Sequence, residues 1–366
     1  MHRHPLWHKI TAILDNGTTF PLRPIDENDR RKDIISAMEY ENHKSILRNK
    51  ASFTQETIDE IKQGWALPLP PNFALHLKDA EVAPHGLVLQ NTITEHGEIV
   101  EKDRITHDQS YPGSSSKESI NSRVIEEELT PCMFGHMHLR CIHCIIGCRQ
   151  RHPSTNIFIT KIDWKSAYRR QHLNGSTATK SLTQVLINGI TFLIMALRLT
   201  FGGKPNPSEW SCLSESTTDL ANDILSCKEW DPIKLKSPIQ DMMPKPLVLP
   251  SNIPHTTAKT SIVNIPAEDQ GKCDVYIDDT VAIGPDLPGN RPRLAATIPL
   301  AIHLLSRPII LKEHVLRKPP ISIIKLRAEG RLEETKTLLG WLYDTRRLRI
   351  SLPSKKLKHG PNNCGT

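Results

Sequence analysis

One short segment, residues 273–284, constrains the fold of this chain more than any other. It reads CDVYIDDTVAIG, in which two alternating apolar runs meet at adjacent carboxylates, Asp278 and Asp279. Alternation with a period of two predicts half-buried strands, so the segment is predicted to form a β-hairpin with the aspartates at its tip. Adjacent carboxylates raise each other's pKa unless a cation holds them. The pair therefore indicates either a divalent-metal site or, equally well, an acidic turn.

A third aspartate favours the metal site. Residues 156–163 form an apolar, β-branched run that ends in Asp163, and residues 164–171 have the pattern of a helix start. If this strand and the hairpin are neighbours in one sheet, three carboxylates meet. Such oxygen ligands suit Mg²⁺, and two ions about 3.5–4 Å apart would activate an attacking hydroxyl and stabilise the leaving oxygen. The predicted chemistry is phosphoryl or nucleotidyl transfer.

Three motifs in this order resemble those of reverse transcriptases of the retrotransposon type. Asp163 with Ala167-Tyr168 resembles the first palm motif, residues 201–210 resemble the Phe-Gly-x-x-x-x-Pro-x-x-aromatic motif, and residues 276–279 resemble the Tyr-x-Asp-Asp hairpin. The resemblance covers about residues 81–352. It implies an α+β fold, the fingers and palm of a right-hand polymerase, with an antiparallel palm sheet backed by helices.

The resemblance also implies which residues are functional. The expected catalytic residues, which would hold two Mg²⁺ ions or Mn²⁺ in their place, are Asp163, Asp278 and Asp279. The residues expected to bind the incoming dNTP and the template are Arg104, Tyr168, Gly202 and Gly203. Lys325 and Lys336 are both candidates for the lysine that helps to protonate pyrophosphate.

The expected nucleotide-binding residues are of types that suit this role, although Tyr168, Gly202 and Gly203 also have plainer interpretations. Arg104 opens an Arg-x-x-x-Asp pattern, and its planar guanidinium suits bidentate phosphate binding. An aromatic ring at Tyr168 would exclude a 2′-hydroxyl and so favour deoxynucleotides, although a core aromatic is the commoner role outside the motif. Gly202 and Gly203 would allow the backbone to approach the template, or they form an ordinary turn.

Four segments are predicted along the chain. They are a partly helical N-terminal lead-in at 1–80, fingers at 81–130, a palm at 131–352 with an irregular proline-rich insertion at 227–271, and a basic tail at 353–366. Smaller predicted elements are a fingers hairpin that turns at His96-Gly97, a helix at 55–62 capped by Thr54, buried palm structure at 181–197, and a primer-grip hairpin at 338–344.

The implied function is template-directed addition of dNTPs to a primer 3′-hydroxyl, with RNA or DNA as template. Because the chain ends soon after the primer-grip match, the thumb is expected to be truncated or absent, with thumb and ribonuclease H supplied elsewhere in a polyprotein. The alternative is a catalytically silent retroelement remnant that at most binds nucleic acid. An RNA-dependent RNA polymerase is a third possibility, against which Tyr168 argues.

Charge and hydropathy are compatible with this function. The 47 Lys and Arg against 40 Asp and Glu give a net charge of +7, which suits phosphate binding but is ordinary for a soluble protein. The N-terminus lacks the apolar core of a signal peptide, and the uncharged stretch at 181–197 is shorter than the ~20 apolar residues of a membrane span. An intracellular protein, cytoplasmic or nuclear and without a membrane partner, is expected.

The cysteines invite a zinc interpretation. Cys141, Cys144 and Cys148, followed by His152, have a spacing that loosely resembles a zinc cluster. They also lie in a helical pattern, residues 133–151, where steps of three and four place them on one apolar stripe. Because free cysteine behaves as a small buried hydrophobe, core packing is favoured over zinc binding.

Overall fold

The computed structural model describes residues 4–94, 98–235, 237–248, 251–258, 270–306 and 318–353. The α-helices of these residues are α1 (Trp7–Asn16), α2 (Glu27–Tyr40), α3 (Lys50–Lys62), α4 (Met137–Arg151), α5 (Gly175–Ala178), α6 (Asn206–Ser226), α7 (Asn290–Leu305) and α8 (Ile323–Glu329). The strands are β1 (Ala66–Leu69), β2 (His85–Ile93), β3 (Ile99–His107), β4 (Ile157–Asp163), β5 (Leu182–Ile187), β6 (Ile190–Ala196), β7 (Lys272–Tyr276), β8 (Asp279–Pro285), β9 (Thr335–Leu338), β10 (Trp341–Asp344) and β11 (Arg349–Ser351).

Antiparallel pairing organises the described strands into four sheets. The central sheet has the order β4-β8-β7, and the others have the orders β1-β6-β5, β11-β10-β9 and β2-β3. The predicted α+β class is confirmed at this level, since antiparallel sheets alternate with helices along the chain.

The predicted aspartate hairpin is confirmed. β7 and β8 pair so that Tyr276 lies opposite Asp279, which leaves Ile277 and Asp278 as the turn. Ile277 has φ +56°, a left-handed conformation that is uncommon for a β-branched residue. Its backbone carbonyl accepts a hydrogen bond from Trp210 Nε1 of α6 at 2.7 Å. Tertiary contact with α6 therefore stabilises a turn that the local sequence does not favour.

Both faces of the central sheet are buried. Alternate residues of β4 point to opposite faces, and each set packs in a different core cluster. Phe158 and Ile162 pack in one core cluster with residues of α6 and α7. Ile157 and Ile159 pack in another with α4 and the β9–β10 hairpin. Burial of each such side chain contributes about 1.5–3 kcal/mol. The central sheet is thus packed between helices on both faces. Because β4 is fixed by this packing, Asp163, the last residue of β4, has a defined position.

The cysteine helix packs as predicted. α4 begins at Met137, after a 3₁₀ turn at Phe134–His136. Cys141, Cys144 and Cys148 are all buried, in the same cluster as Met137. The prediction of core packing for these thiols is confirmed.

Two predicted helix starts are wrong. After Asp163 the chain forms only a 3₁₀ turn, Ala167–Arg170, because Ser166 has φ +55° and interrupts a right-handed helix. The helix expected at 55–62 instead begins at Lys50, where the Asn49 side chain accepts a hydrogen bond from Ser52 N. Asn49 takes the capping role that had been predicted for Thr54.

The uncharged stretch 181–197 forms the β5–β6 hairpin and lies outside the central sheet. β6 pairs with β1, which comes from the N-terminal segment. The turn is Asn188-Gly189, and both residues have positive φ, at +51° and +79°. Asn-Gly between apolar runs is a strong signal for a two-residue hairpin turn, so the sequence contained the information needed to predict this hairpin.

The proline-rich segment 227–271 is irregular, as predicted, in the parts that the structure describes. These parts contain a 3₁₀ turn, Gln240–Met242, but neither an α-helix nor a strand. Although irregular, these parts of the segment pack against α7. Trp230 is in one cluster with Ala296 and Leu300, and Ser237 Oγ lies 2.6 Å from His303 Nδ1.

Two further predicted hairpins are observed. β2 and β3 form the hairpin of residues 85–107, although its predicted turn at His96-Gly97 lies outside the described residues. β9 and β10 form a hairpin that begins three residues before the predicted 338–344, at Thr335, and turns at Leu339 and Gly340. Of the tail at 353–366, the structure describes residue 353 alone. Among the described helices, none has the length and apolar character to cross a membrane.

Candidate active site at the aspartate hairpin

The central sheet brings the three predicted aspartates to one end of two neighbouring strands. Asp163, the last residue of β4, lies directly opposite Asp279, the first residue of β8. Residues opposite each other in an antiparallel pair project on the same face of the sheet. Asp278 precedes Asp279 in the turn, and its carbonyl accepts a hydrogen bond from Trp164 N at 3.2 Å. Three carboxylates therefore share one small region.

Two lysines neutralise part of this negative charge. Lys325, on α8, places its Nζ 2.6 Å from Asp163 Oδ1. Lys161, on β4, places its Nζ 3.1 Å from Asp279 Oδ1 and 3.2 Å from Glu329 Oε2. Neither Lys161 nor Glu329 was predicted to be a site residue. Lys161 interrupts the apolar run of residues 156–163, and that interruption was the available signal.

Burial shifts the pKa values of Asp163 and Asp278 upwards. Burial raises the pKa of Asp163 to about 8, opposed by Lys325 and reinforced by the charges of Asp278 and Asp279. Burial also raises the pKa of Asp278, again reinforced by Asp279. Carboxylates that resist ionisation in this way are stabilised in the charged form by a cation, and clusters of them are typical of functional sites.

Arg104 and Tyr168 meet at Phe201. The guanidinium carbon of Arg104, on β3, lies 4.4 Å from the centroid of the Phe201 ring, a cation–π contact. The ring of Tyr168 lies 5.1 Å from the same ring, and Tyr168 is 8% exposed. Burial raises the pKa of Asp278, and the positive charge of Arg104 acts in the opposite direction. Arg104 is therefore within electrostatic reach of the aspartate hairpin.

Gly202 and Gly203 allow the loop after Phe201 to lie against the end of β3. Gly202 has φ +121°, and a Cβ on it would lie 1.9 Å from the carbonyl oxygen of His107. His107 N donates a hydrogen bond of 2.7 Å to the carbonyl of Phe201. A Cβ on Gly203 would lie 2.5 Å from Gln109 Oε1. The close backbone approach that Gly202 permits is to β3, whereas Gly203 lies against side chains outside that strand.

Of the two candidate lysines, only Lys325 contacts a site carboxylate. Lys336 is 5% exposed and its Nζ donates to the carbonyls of Glu329 and Arg331, at 2.8 and 2.9 Å. It also pairs with Glu333. Three acceptors use the three donors of this ammonium, so Lys336 has a structural role.

The donor chemistry of the site suits a hard divalent cation, since carboxylate oxygens are the ligands that Mg²⁺ prefers. In the part of the chain that the structure describes, no group of three or more His, Cys, Asp and Glu side chains is arranged to hold a metal ion. The carboxylates of Asp163 and Asp279 point to Lys325 and Lys161 instead. An incoming cation would therefore compete with two ammonium groups for these carboxylates.

Comparison with known proteins identifies the fold. No protein-family model matches the sequence, and no curated protein matches it. Among solved structures, the foamy viral protease-reverse transcriptase dRH in complex with double-stranded DNA is similar with a TM-score of 0.50 and 12% identity, over 97% of this chain and 41% of that one. The same viral protein with an RNA/DNA hybrid gives a TM-score of 0.48 and 13% identity, over 96% of this chain and 31% of that one.

A third similar structure is the prototype foamy virus protease-reverse transcriptase CSH mutant, with a TM-score of 0.46 and 14% identity, over 92% of this chain and 30% of that one. At such identities the likeness shows the fold alone. The similarity with the TM-score of 0.50 shows that the chain has a reverse-transcriptase-like fold. The chain spans less than half the length of these similar proteins.

Proposed function

We propose that this chain is the fingers and palm region of a retrotransposon-type reverse transcriptase, an RNA-directed DNA polymerase. It would add dNTPs to the 3′-hydroxyl of a primer paired with an RNA or DNA template. The observation that carries the proposal is the pairing of Asp163 with Asp279 beside Asp278, in a chain with a reverse-transcriptase-like fold. In this proposal β2–β3 belongs to the fingers, the central sheet is the palm sheet, and β9–β10 is the primer grip.

Asp163, Asp278 and Asp279 would hold two Mg²⁺ ions, or Mn²⁺ in their place. When bound, such ions activate the attacking hydroxyl and neutralise the charge on the leaving pyrophosphate. The protein supplies the fixed position of the carboxylates, since Asp163 and Asp279 are set by strand pairing and Asp278 by the turn below Trp210. Lys325, which already contacts Asp163, is the better candidate for the lysine that helps to protonate pyrophosphate.

The nucleotide would lie between the aspartate hairpin and the Phe201 loop. The planar guanidinium of Arg104 can bind the triphosphate through two parallel hydrogen bonds. Phe201 fixes the guanidinium on one face. Tyr168, packed between Phe201 and Trp210, offers the edge of a rigid ring to the sugar. A primer–template duplex is the proposed partner.

Primer extension tests the proposal directly. The parent chain is expected to extend a labelled oligo(dT) primer on poly(rA) with dTTP and Mg²⁺, because the three carboxylates provide the metal ligands. Asp278→Asn keeps the shape of the turn and removes one ligand charge, so it serves as the matched control and is expected to lose extension. Failure of the parent to extend a primer–template that it demonstrably binds would refute the proposal.

Tyr168→Ala is expected to relax selection against ribonucleotides. Its ring is held by Phe201 and Trp210, so it cannot move aside for a 2′-hydroxyl, whereas alanine leaves space. The ratio of kcat/KM for dTTP to that for UTP should fall by about tenfold or more. Tyr168→Phe, which keeps the ring, should retain the parent ratio, and an unchanged ratio in the alanine variant would assign Tyr168 to the core alone.

A further inference from the structure

Lys161 lies in a position where an apolar residue would be expected. It is two residues before Asp163 on β4, so its side chain projects on the same face of the sheet. Ile157 and Ile159, at the preceding positions of this face, are fully buried. The Lys161 side chain is 13% exposed. A lysine that is so nearly buried needs compensating negative charges, because burial of an unpaired ammonium group costs free energy.

Two carboxylates provide that compensation, and they belong to different parts of the molecule. Asp279 belongs to the aspartate hairpin, and its Oδ1 lies 3.1 Å from Lys161 Nζ. Glu329 is the last residue of α8, and its Oε2 lies 3.2 Å from the same atom. Their side chains are 25% and 23% exposed. The ammonium is therefore shared between a carboxylate of the candidate site and one outside it.

The sharing gives Lys161 and Glu329 opposite electrostatic effects on the site. The positive charge of Lys161 offsets the negative charge of Asp279 and repels a divalent cation. The negative charge of Glu329 offsets Lys161 and so lessens that repulsion. Because these groups are largely shielded from water, their interactions are stronger than those of surface charges.

We propose that Lys161 is a positioning residue that holds the carboxylate of Asp279 and, with Glu329 moderating its charge, sets the affinity of the aspartate site for divalent cations. The proposal rests on the function proposed above, since it concerns the same carboxylates. Asp279 is thereby directed towards Lys161, as Asp163 is directed towards Lys325.

Substitution of Lys161 and Glu329 should shift cation affinity in opposite directions. Lys161→Met has a similar shape and no charge, so Asp279 is released and the site binds Mn²⁺ more tightly, by about tenfold in Kd. Glu329→Gln leaves the Lys161 charge less compensated, so Mn²⁺ binds more weakly, by about threefold or more. Lys161→Arg keeps the charge and should restore the parent Kd to within about twofold.

The measurement is Mn²⁺ binding to the full chain without nucleic acid or dNTP, followed by the electron paramagnetic resonance signal of free Mn²⁺. Circular dichroism and thermal unfolding establish that each variant is folded. A purely structural role for Lys161 would lower the stability of the variants without moving their Kd values in opposite directions. Unchanged Kd values, or shifts of the same sign, in folded Lys161→Met and Glu329→Gln overturn the proposal.

Should Lys161→Met fail to fold, Glu329→Gln carries the test alone, because weaker Mn²⁺ binding supports the proposal and an unchanged Kd overturns it. Asp163→Asn and primer extension separate this inference from the proposed function. If the Mn²⁺ Kd shifts in opposite directions in Lys161→Met and Glu329→Gln but the parent does not extend primers, the inference is supported and the polymerase function is refuted. If the parent extends primers but the Mn²⁺ Kd is unchanged in both variants, the polymerase function is supported and the inference is refuted. A parent chain without Asp163-dependent Mn²⁺ binding would refute both.

Discussion

Asp163→Asn is expected to lower the rate of nucleotide addition by about 10³-fold or more and to make the metal-free protein more stable. The loss of rate follows from the position of Asp163, which lies opposite Asp279 at the end of the central sheet and would hold the catalytic cation. Asparagine has nearly the same shape but carries no charge. Single-turnover primer extension by Asp163→Asn and by the parent measures the first effect.

The gain in stability follows from the pKa of the same carboxyl. Burial raises the pKa of Asp163 to about 8 in the folded protein, from an ordinary value of 3.8. A raised pKa means that the protonated form is preferred in the folded state, so this group stabilises the fold fully below about pH 4, and the stabilisation is lost as the pH rises through 8. Asparagine stays neutral throughout. The free energy of unfolding of Asp163→Asn should therefore exceed that of the parent by an amount that grows from pH 4 to pH 9.

Urea unfolding at pH 5, 7 and 9 with a chelator measures this difference. Because the ion pair with Lys325 offsets part of the cost of burial, we expect an advantage of more than about 1 kcal/mol at pH 9. Asp15→Asn, which removes an exposed charge on α1, is the matched control and should show no such trend. An Asp163→Asn variant no more stable than the parent at pH 9 would show that Lys325 compensates the buried charge fully.

The strands of the candidate site could be predicted from the sequence because their patterns are local. The alternation around Asp278 predicts the β7–β8 hairpin, and the β-branched run before Asp163 predicts β4. The motif order then predicts that these elements meet. The register that places Asp163 opposite Asp279 is a long-range feature, determined by the packing of both faces of the sheet and observable only in the structure.

The sequence could not predict which aspartate each lysine contacts, since a lysine in a sequence is most often a solvated surface residue. Lys325 reaches Asp163 because α8 lies beside β4, where Ser322 N donates to the carbonyl of Asp163 at 3.0 Å. Similarly, Glu329 reaches Lys161 only because α8 ends there. The two helix starts were missed for local reasons, because Asn49 caps α3 ahead of Thr54 and Ser166 adopts a left-handed conformation.

Gly202→Ala is expected to destabilise the fold strongly, because it combines a steric clash with backbone strain. A Cβ at this position would lie 1.9 Å from the carbonyl oxygen of His107, and a φ of +121° is unfavourable for any L-residue with a side chain. Relief of the clash requires the loop to move away from β3 and breaks the hydrogen bond from His107 N to the Phe201 carbonyl. We expect a cost of more than about 3 kcal/mol in the free energy of unfolding.

Gly189→Ala provides the matched control, because Gly189 also has a positive φ, +79°, but nothing lies within 4 Å of its Cβ position. It should cost about 1 kcal/mol from backbone strain alone. Urea unfolding of both variants therefore separates the strain of a positive φ from the clash with β3. The Gly202→Ala variant should also bind dNTP more weakly, since movement of Phe201 removes the ring that holds Arg104. Equal losses of stability in the two variants would show that the Gly202 loop can move away from β3 without a measurable free-energy cost. Close packing of this loop against β3 would then not be what positions Arg104.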